Sequence, residues 1–272
     1  MGNFNRIWNV NLKEYKTLQT KIEFGVLHLT LNRPEARNAM NSIMVHELIH
    51  LFNFIENDRS IRCVVIKGSN GFFCAGADIK EMANADEDKI ATINRAFGEM
   101  ITTVNHTPQV VIAVLEGAVM GGGFGLACVS DIGITLKNTK FGLPETTLGL
   151  PPAQITPFVV QRIGLTQARA LALTGSRFTG EKAQKLGIAH HLVHTHEDVE
   201  PILNKVISEI KNCAPNANAV TKKLMIDAAG KVDGSLLDQA AKLFSKCKSG
   251  KEGIEGTTAF KEKRKPEWTV DK

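Results

Sequence analysis

The stretch M-G-G-G-F-G-L-A-C-V-S-D, residues 120–131, packs four glycines into five positions and runs straight into an apolar segment. An apolar, β-branched run of strand length precedes it at residues 110–115. The plan occurs twice: I-R-C-V-V-I-K at 61–67 leads into a glycine-bearing loop at 68–77 and then into helical text. Each loop therefore joins the end of a buried strand to the start of a helix. Helix starts present unpaired N–H groups and the positive end of the peptide dipoles, which stabilise a neighbouring negative charge. Glycine lets such backbone approach a ligand closely. Two loops of this kind, side by side, would aim two N–H groups at one oxygen, an oxyanion hole built from backbone. A single loop would need no explanation beyond tight strand–helix packing.

Other glycine-rich devices fit less well. A dinucleotide fingerprint G-x-G-x-x-G fails, because the sixth residue from Gly121 is Leu126 and from Gly123 is Cys128. A phosphate-binding loop needs G-K-[ST], which is missing. The 272 residues, 43% hydrophobic and 22% charged, suit a globular protein. No apolar run reaches the roughly 18 uncharged residues of a membrane helix. The opening M-G-N-F-N-R-I-W lacks a signal-peptide core and has Arg6 where myristoylation needs Ser or Thr, so a cytoplasmic protein is expected, with an organelle protein as the alternative. Five scattered cysteines without C-x-x-C favour reduced thiols over disulfides or zinc. His46 and His50 lack the Glu of a zinc motif, and His190 and His191 point opposite ways on a strand, so no metal is expected. Cys74 has no base assignable to it and reads as a small buried thiol.

Residues 21–31 read as one strand, in a hairpin with 15–20, and 42–57 as an amphipathic helix. Buried strands are expected at 61–67 and 110–115, with short strands at 131–135, 140–142 and 187–193. Strand–helix alternation to about residue 195 predicts an α/β core, residues 1–195, followed by a helical region, 196–272.

Larger blocks carry a resemblance. F-C-A-G-A-D-I-K-E-M (73–82), G-A-V-M-G-G-G-F-G-L-A-C-V-S-D-I (117–132) and F-G-L-P-E-T-T-L-G (141–149) resemble the enoyl-CoA hydratase/isomerase (crotonase) family. So do N-R-P-E-A-R-N-A-M (32–40), L-A-L-T-G (171–175), A-Q-K-L-G-I-A (183–189) and A-F-K-E-K-R-K-P (259–266). The resemblance implies a spiral of β-β-α repeats with a C-terminal helical trimerisation region, forming a homotrimer or a dimer of trimers. It implies an acyl-CoA substrate and no separate cofactor. The oxyanion donors fall on Ala77 and Gly122. The CoA-contacting segment maps onto Ala75, Ala77, Asp78, Ile79 and Lys80, with Arg37 toward the adenosine and Phe260 with Lys263 reaching a neighbouring subunit's CoA. Arg37, Lys80 and Lys263 also read as solvated charges, and Asp78 as a helix cap.

Family hydratases hold a water between two glutamates. Their positions here are Gly125 and Glu145, so one carboxylate is kept and the other has no side chain. A lone Glu can hydrate in a concerted way, or move a proton between two carbons as the family's isomerases do. The text G-L-P-P-A-Q-I-T-P-F-V-V (149–160) is similar to hydratases of branched glutaconyl-CoA esters, with Gln154 either holding water, meeting a polar acyl tail or facing solvent. Gly125 is expected to leave room for a bulky acyl group. Two other classes are weighed: an RNA- or protein-interaction role for K-E-K-R-K (261–265), which Glu262 and Glu267 dilute, and a non-catalytic CoA-binding scaffold. Nucleic acid is not the expected partner.

Overall fold

The structure, a computed structural model, describes residues 13–83, 85–230 and 232–269. In chain order the elements are β1 (Leu18–Glu23), β2 (Val26–Leu31), α1 (Ser42–Ile55), β3 (Cys63–Gly68), α2 (Ile79–Met82), α3 (Glu87–His106), β4 (Val110–Leu115), β5 (Ala118–Met120) and α4 (Gly122–Val129). There follow β6 (Ile132–Leu136), β7 (Lys140–Gly142), α5 (Thr156–Thr174), β8 (Arg177–Thr179), α6 (Gly180–Lys185) and β9 (His191–Val193). The chain ends in α7 (Val199–Lys211), α8 (Pro215–Ala228), α9 (Gly234–Ser249) and α10 (Lys251–Lys261).

Six strands form one sheet in the order β1-β2-β3-β4-β6-β9, parallel except for the β1 edge. The continuous apolar runs of β3 and β4 follow from cover on both faces. Val64, Ile66, Val111, Ala113 and Leu115 point into one core, with α1, α3 and α4. Cys63, Val65, Ile112 and Val114 point into the other, closed by Val199, Leu203, Val206, Ile207 and Ile210 of α7. Those five side chains recur at helical spacing, and burying each is worth about 1.5–3 kcal/mol relative to exposure. The α1 helix starts where Asn41 accepts the Met44 N–H, and its buried face is Met44, Val45, Leu48, Leu51, Phe52 and Ile55.

The hairpin differs from the sequence reading. Residues 21–31 are not one strand: Phe24 and Gly25 turn the chain between β1 and β2, with φ of 48° and 74°. A phenylalanine at positive φ is an uncommon turn residue, and its presence hid the turn. β5 and β8 carry no strand signal in the sequence. With β7 they form a second, three-stranded sheet, whose segments of three residues are too short to show a period.

This small sheet and the β3–β4 pair place the glycine loops together. β3 and β4 are parallel neighbours, so both loops leave the same end. They are then zipped to each other: Phe73 N–H donates to Glu116 O (2.9 Å), Cys74 N–H to Ala118 O (2.9 Å) and Met120 N–H to Cys74 O (3.0 Å). β5 runs parallel to β7 with Met120 opposite Gly142, so the G-G-G turn lies beside the segment leading to Glu145.

Candidate active site

Gly76 and Gly121 bring the two loops into backbone contact: a methyl group added at Gly121 would lie 3.7 Å from Gly76 Cα. Both have positive φ, 110° and 49°, which a side chain would strain. The residues that follow them are Ala77 and Gly122. Their neighbours' N–H groups are used: Gly121 donates to Gly142 O (3.1 Å) and Asp78 to Met40 O (2.9 Å). The Ala77 and Gly122 N–H groups have no acceptor among the described residues. Gly122 begins α4, whose first N–H groups lack intrahelical partners. Ala77 and Gly122 line one cleft of about 1060 Å³, measured out to its open mouth.

Glu145 enters the same cleft at the start of a short 3-10 turn, Glu145–Leu148. Its Oε1 lies 2.9 Å from where a Gly121 methyl group would be, so the carboxylate rests directly on the glycine turn. Its Oε2 is buried and has no hydrogen-bond partner among the described residues. Burial pushes the Glu145 carboxyl above its ordinary value of 4.5, opposed by a backbone hydrogen bond. A carboxylate with a raised pKa beside two unpaired donors can exchange protons with a ligand whose oxygen those donors hold.

The sign of this shift gives a stability prediction. Between 4.5 and the raised folded-state value, the unfolded chain loses this proton while the folded chain keeps it. Glu145 therefore costs stability as pH rises through that window and at every pH above it. Glu145→Gln is expected to raise the melting temperature at pH 7 and to leave it unchanged at pH 3. Equal shifts at both pH values in a thermal melt would contradict the burial of this carboxyl.

The other expected residues are distributed as follows. Ala75, Asp78, Ile79 and Gln154 line the cleft with Ala77, Gly122 and Glu145. Asp78 caps α2 through Lys80 N–H and pairs with Arg33 at 2.9 Å, which neutralises it. Arg37 is exposed at the rim, outside the lining; its carbonyl accepts the Ala75 N–H (3.0 Å) and its guanidinium lies 5.5 Å from the Phe72 ring centroid. Lys80 is exposed on α2. Phe260, 85% exposed on α10, and Lys263 do not line the cleft of their own chain. Cys74 is fully buried under Gly123, and burial pushes its thiol up to about 12, so it is inert. Among the described residues no group of three or more His, Cys, Asp or Glu could hold a metal. No described helix is long and apolar enough to cross a membrane. Within the basic run 261–265, Arg264 is held by Glu255 and Glu262.

Sequence profile and structural relatives settle the family. The profile described as Enoyl-CoA hydratase/isomerase matches residues 21–271. This chain belongs to the enoyl-CoA hydratase/isomerase family. It is 32% identical over 244 residues to 2,3-dehydroadipyl-CoA hydratase of Escherichia coli (strain K12), covering 89% of this chain and 94% of that protein. It is 30% identical over 249 residues to the human mitochondrial enoyl-CoA hydratase domain-containing protein 2, covering 90% and 85%. Among solved structures, Pseudomonas aeruginosa AtuE superimposes with a TM-score of 0.92 at 49% identity, covering 94% of this chain and all 100% of that one. An enoyl-CoA hydratase/isomerase from Marinobacter aquaeolei gives 0.90 at 50% identity, covering 93% and 99%. The protein is thus an enzyme of this family with the crotonase α/β fold.

One expectation is corrected. Gly125 does not leave an open space for the acyl group. A methyl group there would overlap Ile155 Cγ2, lie 2.9 Å from Ile155 Cβ and 3.6 Å from Ile101 Cδ1. Ile155 is buried, so hydrocarbon fills the volume that a second carboxylate would take. Gly125→Glu is accordingly expected to destabilise the fold by about 3 kcal/mol or more, from overpacking and charge burial, without raising activity. Gly125→Glu with Ile155→Ala recovers part of that loss. Denaturant melts of the three chains check this; a stable, more active single variant would refute the packing argument.

Two cleft residues carried no sequence signal, Asn94 and Phe97 of α3, while Glu81, Leu148 and Leu150 lie within the quoted motifs without being singled out. Phe97 packs over the first residue of α4, with its Cζ 2.5 Å from where a Gly122 methyl group would be.

Proposed function

We propose that this enzyme adds water across the double bond of an enoyl-CoA thioester with Glu145 as its sole carboxylate. The observation that carries the reading is the contact of Glu145 Oε1 with the Gly121 turn, in the cleft also lined by Ala77 and Gly122, whose N–H groups lack acceptors. The thioester oxygen accepts from the Ala77 and Gly122 N–H groups, which stabilise the enolate as its charge develops. Glu145 takes a proton from water as the oxygen attacks Cβ, and a proton returns to Cα. The similarity to a 2,3-dehydroadipyl-CoA hydratase supports hydration. CoA is part of the substrate and no separate cofactor is required. Arg37, whose carbonyl holds the Ala75 N–H, and Lys80, which follows Ile79, are exposed cations next to lining residues and suit its phosphates.

The favoured acyl group is branched or glutaconyl-like. Loss of the conjugated enoyl-thioester absorbance with crotonyl-CoA and with 3-methylglutaconyl-CoA tests both parts. Activity on neither ester would sink the hydratase reading, and a preference for crotonyl-CoA would sink the acyl assignment.

A specific observation supports double-bond isomerisation as the second reading. Ile155 stands where a second water-holding carboxylate would be, and one Glu suffices to carry a proton between carbons.

The C-terminal helices support subunit association. Met225, Leu237, Phe244, Ile254 and Phe260 on α8, α9 and α10 are all more than half exposed, a large apolar surface for a lone chain. A trimer would cover them and bring Phe260 and Lys263 to a neighbour's CoA. A light-scattering mass of one chain would refute it. Free cysteines suit a reducing compartment such as the cytoplasm, which cell fractionation checks.

A further inference from the structure

We infer that Asn94 and Gln154 form a polar subsite in the acyl part of the cleft, which selects an acyl chain carrying a hydrogen-bonding oxygen beyond Cβ. The inference rests on the acyl-CoA reading above. Asn94 lies on α3 with Phe97 and Gly98, one turn before Gly98, and both Asn94 and Gln154 line the cleft half-buried. A methyl group at Gly98 would overlap Gln154 Oε1 and lie 2.8 Å from its Cδ. The Gln154 carboxamide thus sits in a notch that only glycine leaves, on the helix face that carries Asn94. Neither side chain has a hydrogen-bond partner among the described residues. Each carboxamide offers two N–H donors and an acceptor, and most of the wall around them is apolar: Ile93, Phe97, Leu148 and Leu150.

Position says what these groups meet. Phe97 touches Gly122, so the neighbouring Gly98 notch lies one side chain away from an oxyanion donor. An acyl chain anchored by its carbonyl at Gly122 runs past Phe97 toward the carboxamides. A plain hydrocarbon chain would strip them of water and leave them unpaired, whereas an oxygen on the chain would satisfy them. Hydroxyl and carboxylate oxygens share that chemistry. No Lys or Arg lines the cleft, so either oxygen is met there by carboxamide N–H groups and not by an ion pair.

The test uses binding, so turnover does not confuse it. Affinities of butyryl-CoA, 4-hydroxybutyryl-CoA and glutaryl-CoA are measured by calorimetry for the full chain, Asn94→Leu, Gln154→Leu and the milder Gln154→Ala. The wild type is expected to bind at least one oxygenated ester about tenfold tighter than butyryl-CoA, with the hydroxyl and carboxylate arms showing which. Each substitution is expected to bring that ratio toward one. A wild-type ratio near one, or a ratio unchanged in the variants, overturns the subsite. So does an equal slowing of all unsaturated esters by Gln154→Leu at intact binding ratios, which would make Gln154 a water-orienting residue. If no ester binds the wild type at all, it is the acyl-CoA reading that fails.

Discussion

Glu145→Gln is expected to lower kcat by about 10³-fold while changing KM for an enoyl-CoA ester by no more than about threefold, within the usual span for loss of a general acid–base. Glutamine keeps the shape that rests on the Gly121 turn and removes only the exchangeable charge. No second carboxylate stands at position 125 to take over, because Ile155 occupies that volume. The acid limb of the wild-type kcat/KM profile is expected above 4.5, since burial raises the Glu145 carboxyl and the ionised form must accept the proton. Retention of a tenth or more of wild-type kcat would remove Glu145 from the proposed chemistry.

Gly122→Ala is the second large effect. The new methyl group would stand 2.5 Å from Phe97 Cζ, too close for both to keep their places. Either Phe97 moves into the acyl space or the first turn of α4 shifts and carries its N–H away from the oxyanion position. Misplacing one such donor costs about 10²–10³ in kcat. Gly122→Ala with Phe97→Leu frees room and should regain most of the loss, which separates donor position from general damage. Wild-type kcat in the single variant, with the melting temperature unchanged, would show that the Gly122 N–H does not serve the reaction.

The legible part of this protein was the part written in backbone. Four glycines in five positions, and the matching loop after residue 67, pointed to two donor loops, and parallel neighbours β3 and β4 place them together. The burial of β3 and β4 on both faces was legible because nothing polar interrupts C-V-V-I or V-V-I-A-V-L. The cleft's walls were not. Asn94 and Phe97 come from α3 and Ile155 from the turn before α5, and only the packing of α3 against α4 and that turn brings them to Gly122, Gln154 and Gly125. The fate of the space at Gly125 illustrates the limit. Sequence spacing can register a missing side chain, but which neighbour fills the volume depends on tertiary packing. Of the small sheet only β7 showed in the sequence, at 140–142, and its pairing with β5 and β8 did not, yet that sheet sets Glu145 three residues past the Gly142 carbonyl that holds the Gly121 N–H.

One carboxylate, resting on a backbone donor turn, is proposed to activate water. Turnover of an enoyl-CoA ester in water enriched in heavy oxygen tests it most directly, with wild type and Glu145→Gln compared. One heavy oxygen per product molecule is expected with wild type, and loss of both label and turnover with the variant. Unlabelled product formed at the wild-type rate, still dependent on Glu145, would contradict hydration and leave proton transfer between carbons as the reaction of this cleft.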